Sequence, residues 1–214
     1  MSFTYSTLKT AIQDYLEVSE TTFTNELPTF IQEAEDRIFS FVQLPKQRKN
    51  VQGTLTTGNR FLATPTDFYA PMSLAVISSS TYDYLDFKHP SFTKEYSPGT
   101  TRAKPKYYSL FDDAAFEVSP IPDSDYTIEL HYLHKPVSLT AGSDSGTTFL
   151  STDYSDALLY GSLVEGAIFL KEPSDVIMQL EGRFKEAVAR MKNTSEGRGT
   201  RDEYRYDSVR SSVS

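Results

Sequence analysis

The sequence predicts an α+β protein: a discontinuous four-helix domain drawn from both chain ends, an inserted antiparallel β-sandwich-like domain, and an extended C-terminal tail. Three observations predict it. Apolar residues recur every three or four positions near both ends, the period changes to two in the middle, and the last nineteen residues carry almost no aliphatic side chains. The boundaries fall at 1–45 and 150–195 for the helical domain, 46–149 for the β insert and 196–214 for the tail.

Leu8, Ile12, Tyr15 and Leu16 share one stripe behind the candidate caps Thr4 and Ser6, which predicts a helix over 5–18. In ELPTFIQEAEDRIFSFVQLP the stripe is Leu27, Ile31, Ala34, Ile38 and Phe41; Pro28 suits a first turn and Pro45 stops the helix. Strand-like stretches come next at 48–56, 60–63, 73–78, 82–87, 106–111, 115–118 and 126–135. Gly58-Asn59, Asp112-Asp113 and Pro120 to Asp125 read as turns between antiparallel strands. TAGSDSGTT, residues 140–148, is too polar and glycine-rich to pack and reads as an exposed, mobile loop closing the insert. Helical spacing returns at Thr152 or Asp153, with Leu158, Leu159, Leu163, Ile168 and Phe169 as the buried set, until Pro173 breaks it. A fourth helix over 174–192 carries the stripe Ile177, Leu180, Phe184, Ala187, Val188 and Met191. Because each stripe must be buried somewhere, the helices from the two ends are expected to pack together with the β domain looped out between them. No internal repeat is visible.

With 214 residues, 38% of them hydrophobic and 23% charged, the chain is long enough to bury a core without staples. The absence of cysteine excludes disulfides, thiolate zinc sites and cysteine nucleophiles. No apolar run is long enough to span a bilayer, and MSFTYSTLKT lacks the order of a signal peptide, so a cytoplasm-like site of synthesis is expected. The net charge is −8. Residues 1–45 carry two basic and seven acidic side chains, residues 150–195 five and seven, so the helical part holds −7 of it. Such a body repels phosphate backbones.

Chemistry-bearing patterns are sparse. His131 and His134, three apart on a strand, point to opposite faces and lack a third ligand, which favours structural roles; His89 sits before a proline in a loop. Neither G-x-S-x-G nor a phosphate-cradling loop occurs, and Gly161 and Gly166 are placed to let helices pack closely. Asp112-Asp113 and the pair Asp83 and Asp86 resemble glycosidase carboxylates but read more simply as turn-formers. No metal or cofactor is called for. Fourteen Tyr and fourteen Phe without any Trp suit a sheet core and also interfaces. In the tail, Arg198, Arg201, Arg205 and Arg210 alternate with Tyr204 and Tyr206 and are balanced by Glu196, Asp202, Glu203 and Asp207. A tail with arginine, tyrosine and no lysine suits bidentate pairing and stacking on a protein partner, as an extended arm that orders on docking.

FLATPTDFYAP (61–71), SLFDDAAFEVSPIPDSDYTIELHYLHKP (109–136) and DALLYGSLVEGAIFLKEP (156–173), with the arginine-rich tail, resemble the head-to-tail adaptor proteins of short-tailed phages. These include the SU10-type adaptors and are similar in architecture to tail tubular protein A of T7-like phages. The resemblance implies a non-enzymatic virion protein of the neck, made in the host cytoplasm. It implies a dodecameric ring between the portal protein and the tail nozzle protein, with the tail fibre as a further partner and DNA passing without sequence-specific contact. The helical domain would lie near the channel, the β domain would face outward, and Arg198, Arg201, Tyr204, Arg205, Tyr206 and Arg210 would sit at the portal contact. Glu26, Glu33, Glu35 and Asp36 are the candidates for the channel lining, against the simpler role of solvating an outer helix face. The tyrosine-rich insert also fits a carbohydrate- or receptor-binding module, and exposed Asp pairs a hydrolase. High charge without a large apolar patch predicts a monomer that assembles only on the portal.

Overall fold

The computed structural model describes residues 2–99 and 101–203. In chain order the elements are α1 (Tyr5–Leu16), α2 (Thr21–Phe41), β1 (Arg48–Leu55), β2 (Phe61–Ala63), β3 (Phe68–Ser78), β4 (Thr81–Phe87), α3 (Pro90–Tyr96), β5 (Tyr107–Asp112), β6 (Ala115–Ser119), β7 (Tyr126–His134), α4 (Phe149–Asp153), α5 (Ser155–Phe169) and α6 (Ser174–Glu203). The α+β class is as the sequence predicts. Two units divide the described chain, one from both ends (up to Pro45, and from Val137 onward) and one spanning Lys46–Pro136. No helix among the described residues is long and apolar enough to cross a membrane.

In the helical unit, Thr4 closes a reciprocal capping box with Thr7, which starts α1 and turns Leu8 and Ile12 inward. Helix α2 begins at Thr21, so Pro28 lies inside the helix and not in its first turn as expected. The extra turns place Phe23 four residues before Leu27 on the same stripe. There its ring meets those of Phe30 and Phe169 at 5.5 and 6.1 Å, burial that outweighs the one backbone bond Pro28 cannot make. Leu8, Ile12, Phe23, Leu27, Ile31, Ala34 and Ile38 join Leu158 and Leu163 of α5 and Phe184, Ala187 and Met191 of α6 in one core.

Several local expectations fail. Tyr15 and Phe41, placed on the buried stripes of α1 and α2 by spacing, are each 60% exposed. Ile168 and Phe169, placed in the buried set by spacing, are 51% and 44% exposed: the burial of α5 is carried as far as its last turn by small residues (Ala157, Gly161, Ser162, Gly166, Ala167), and only the final two residues stand outward. The segment read as a mobile loop closing the β insert belongs to the helical unit. It is tied to the start of α1, Tyr5 N donating to Gly146 O at 3.0 Å, Ser6 N to Asp144 O at 2.9 Å, and Lys9 pairing with Asp144 at 2.8 Å.

The β unit is one seven-stranded sheet in the order β1-β7-β3-β4-β5-β6-β2, not two packed sheets. It is antiparallel except at β4–β5, where Asp86↔Tyr107 and Phe87↔Tyr108 pair in parallel. The sheet curls so that Leu55 and Leu62, from its two edge strands, share a core with Leu74, Val76, Phe116, Val118, Ile128 and Leu130. Gly58-Asn59 therefore does not join paired strands: β1 runs against β7 and β2 against β6. The loop is instead pinned to the approach to β7, since Asp125 accepts from both N and Oγ1 of Thr57 and Gly58 N donates to Pro122 O at 2.9 Å. Pro120 to Asp125 likewise links strands that are not neighbours. The actual hairpins are β5–β6 at Asp112 and β3–β4 at Ser79-Ser80, the two serines both left-handed (φ 50° and 66°) as a tight hairpin turn requires. Helix α3, which the sequence reading did not include, starts on Pro90 behind the capping His89 and packs on β5 and β6 over a buried polar layer of Thr93, Ser97, Ser109, Glu117 and Ser119.

Candidate functional site

The acids of α2 separate by helix phase. Glu33 and Asp36 are exposed and Glu26, half-buried, accepts from Thr29 at 3.2 Å. Glu35 is 4% exposed and cannot line a channel: it stands four residues after Ile31 on the core side, and its Oε1 accepts from Leu139 N at 3.0 Å. Burial raises its pKa above the ordinary 4.5, against the lowering effect of hydrogen bonds from Ser138 and Leu139. On the next turn Arg37 stacks over Phe184 at 4.6 Å, donates to Glu181 Oε1 at 2.6 Å and lies 3.7 Å from Glu165. Burial raises Glu165. It would raise Glu181 too, but the hydrogen bonds from Arg37 and Lys185 bring Glu181 below the usual range.

The residues weighed for catalysis or metal binding have structural partners. His131 pairs with Glu129 at 3.0 Å, His134 Nδ1 lies 2.8 Å from Gln47 O, and His89 Nδ1 accepts from Ser91 N. Asp83 pairs with Lys104, Asp86 lies 3.9 Å from Lys88, and Asp112 accepts from Ala114 N at 2.9 Å in its turn. Asp113 O accepts from Thr64 Oγ1. No three metal-ligating side chains converge among the described residues.

Of the arginine and tyrosine residues of the tail, Arg198 and Arg201 fall in the last turns of α6, whereas Tyr204, Arg205, Tyr206 and Arg210 lie outside the described residues. The extended arm expected from residue 196 is thus corrected for its first part, since the backbone is helical through Glu203. Absence of aliphatic side chains forbids a new nucleus. It does not forbid propagation of a helix already nucleated at Ser174, each further residue adding one backbone bond.

Two surfaces escaped the sequence reading. On α3, Phe92 and Tyr96 stack at 5.8 Å and both meet Tyr107, at 5.1 and 4.7 Å, with Lys88 5.9 Å from the rings of Phe92 and Tyr107. Phe92 and Tyr96 stay exposed, and their i, i+4 spacing behind His89-Pro90 was the available signal. At the corner between α1 and α2, Gln13, Asp14, Glu17, Val18 and Ser19 line a cleft of about 480 Å³. Glu17 forms it by ending α1 in a left-handed conformation, φ 54°.

The family model of the SU10 adaptor protein matches residues 3–211, and the chain belongs to that family. Its role is that of a phage adaptor, a structural component of the virion. No curated protein matches the chain.

Proposed function

We propose that the protein is a head-to-tail connector, copies of which form a ring between portal and tail nozzle and continue the DNA channel. The observation that carries this reading is the family match over residues 3–211, which includes both units and most of the tail. In this reading the ring is dodecameric, the portal and nozzle proteins are the axial partners, and the tail fibre attaches at the neck. The C-terminal residues dock on the portal through Arg198, Arg201, Tyr204, Arg205, Tyr206 and Arg210. Met191 and Ser195 of α6 still serve the core of the helical unit, and every one of these arginines and tyrosines comes after them in sequence, where a docking segment belongs. Glu26, Glu33 and Asp36 remain the lumen candidates, supplying like charge toward the phosphates of passing DNA.

Mixing the full chain with its cognate portal tests the reading. Electron microscopy and mass photometry should show a stoichiometric ring on the portal. Deletion of 196–214 should weaken docking about tenfold or more while the truncated chain still melts cooperatively as a folded protein. Absence of any complex across several salt concentrations overturns the proposal, and unchanged portal affinity after the deletion removes the tail from it.

A further inference from the structure

We infer that the β unit carries a binding site for a neutral oligosaccharide, seated between β4 and the approach to β5 and continued across the rings of α3. The inference is independent of the connector reading, and every residue it uses belongs to that one unit. Strands β4 and β5 pair over only two residues, Asp86↔Tyr107 and Phe87↔Tyr108. Ahead of that pairing the two segments part. A cleft of about 490 Å³ opens between them, lined by Asp83, Tyr84, Asp86, Lys104, Lys106 and Tyr107, a volume within the range of small-ligand sites.

Three properties of the cleft select a sugar. The first is a free ring. Strand alternation sends Leu85 into the core and Tyr84 to the opposite face, where it is 62% exposed and touches no other ring among the described residues, so its face is open to the C–H face of a pyranose. The second is the absence of net charge. Two carboxylates stand with two ammonium groups, and Asp83 pairs directly with Lys104. Such a cleft favours neither an anion nor a cation. A sugar hydroxyl, which both donates and accepts, uses both signs at once: Asp86 has only the loose 3.9 Å approach of Lys88, and Lys106 enters no ion pair among the described residues. The third is continuity. The Tyr107 ring meets Tyr96 at 4.7 Å and Phe92 at 5.1 Å, and these two exposed rings lie within 17° of parallel. A lone ring suits any apolar guest, whereas rings repeated beside hydroxyl-bonding groups suit a chain of sugars leaving the cleft over Tyr107.

The test uses the full free chain. The probes are neutral glucose, galactose and mannose oligosaccharides of two and six units, with a sialylated and a sulfated oligosaccharide as charged controls, and affinities are read by isothermal titration calorimetry. A neutral hexasaccharide should bind. Tyr84→Ala should weaken it about tenfold or more while melting like the wild type, and Tyr84→Phe, which keeps the ring, should stay within about twofold. Phe92→Ser with Tyr96→Ser should weaken the hexasaccharide about tenfold and leave the disaccharide unchanged, a dependence on length that damage to folding would not produce. Absence of binding to every neutral probe overturns the site, as does unchanged affinity after Tyr84→Ala. Binding confined to the charged controls makes the cleft an ionic site and overturns the neutral ligand. Equal loss for both lengths in the α3 variant overturns the continuation across that helix. Ring assembly on the portal is read separately, so its failure overturns the connector reading and leaves the sugar site standing.

Discussion

Arg60 reaches Glu117 inside the β unit: Nη1 donates to Oε1 at 3.1 Å, and the Glu117 side chain is only 2% exposed. Its other oxygen, Oε2, is buried without a hydrogen-bond partner among the described residues. The pair stands beside the hydroxyl layer under α3, where a lone carboxylate would be poorly solvated. Arg60→Met is therefore expected to destabilise the protein by about 3 kcal/mol, because it leaves a buried charge uncompensated. Replacing both members, Arg60→Met with Glu117→Leu, should cost less than the single change. Urea unfolding of the three proteins makes the comparison.

Gly161 and Gly182 predict opposite effects of one methyl group. A Cβ at Gly161 would stand 2.9 Å from the Ala34 methyl and 3.1 Å from the Phe184 ring, so Gly161→Ala must push α5 away from α2 and α6. A loss of about 1–3 kcal/mol is expected from such overpacking. At Gly182, in the exposed middle of α6, a Cβ meets nothing within 4 Å, and Gly182→Ala should stabilise by about 0.5–1 kcal/mol. Thermal melts of the two variants read the contrast.

Glu35 predicts a pH effect of definite sign. Its folded pKa is raised above 4.5 chiefly by burial, so the folded state holds its proton to higher pH than the unfolded chain does. Stability from this group is full below the unfolded value and is lost as pH rises through the folded value. Glu35→Gln keeps an acceptor for Leu139 N and removes the titration, so stability should fall less between pH 4.5 and neutrality than in the wild type. Asp67 works in the opposite direction. Its hydrogen bonds from Lys49 and Tyr132, at 2.7 and 2.8 Å, hold it below 3.8, and its contribution disappears only as pH falls through that lowered value. Denaturant midpoints against pH for wild type, Glu35→Gln and Asp67→Asn separate the two.

Free duplex DNA should not be retained by the purified chain at physiological salt, because a net charge of −8 leaves few phosphates to be neutralised. Fluorescence anisotropy of a labelled duplex checks this, and a steep salt-dependent affinity would contradict it.

Strand positions were legible in the sequence because alternation marks a strand wherever it pairs; the pairing was not. Gly58-Asn59 has the composition of a hairpin turn, yet Leu55 and Leu62 reach the core from opposite edges of the curled sheet, a long-range outcome that no short window contains. The Ser79-Ser80 turn lacked the usual glycine or asparagine, and α3 is too short, at seven residues, for periodicity to stand out. At the candidate site the acids of α2 were read by charge alone. The stripe through Ile31, Ala34 and Ile38 already puts position 35 at its edge, but the partner that lets a carboxylate sit there, the Leu139 amide, is 104 residues away. The aromatic cluster on α3 was missed for a similar reason, since Tyr107 joins Phe92 and Tyr96 only through the fold.

The arrangement of the helical unit has a cost during translation. Phe23, Leu27, Ile31 and Ile38 leave the ribosome well before α5, which begins at Ser155 and covers them. At roughly 5–20 residues per second the interval lasts on the order of ten seconds, long enough for the β unit to emerge and fold first. Throughout that time the nascent chain displays an uncovered greasy helix, which makes it a natural client for a host chaperone.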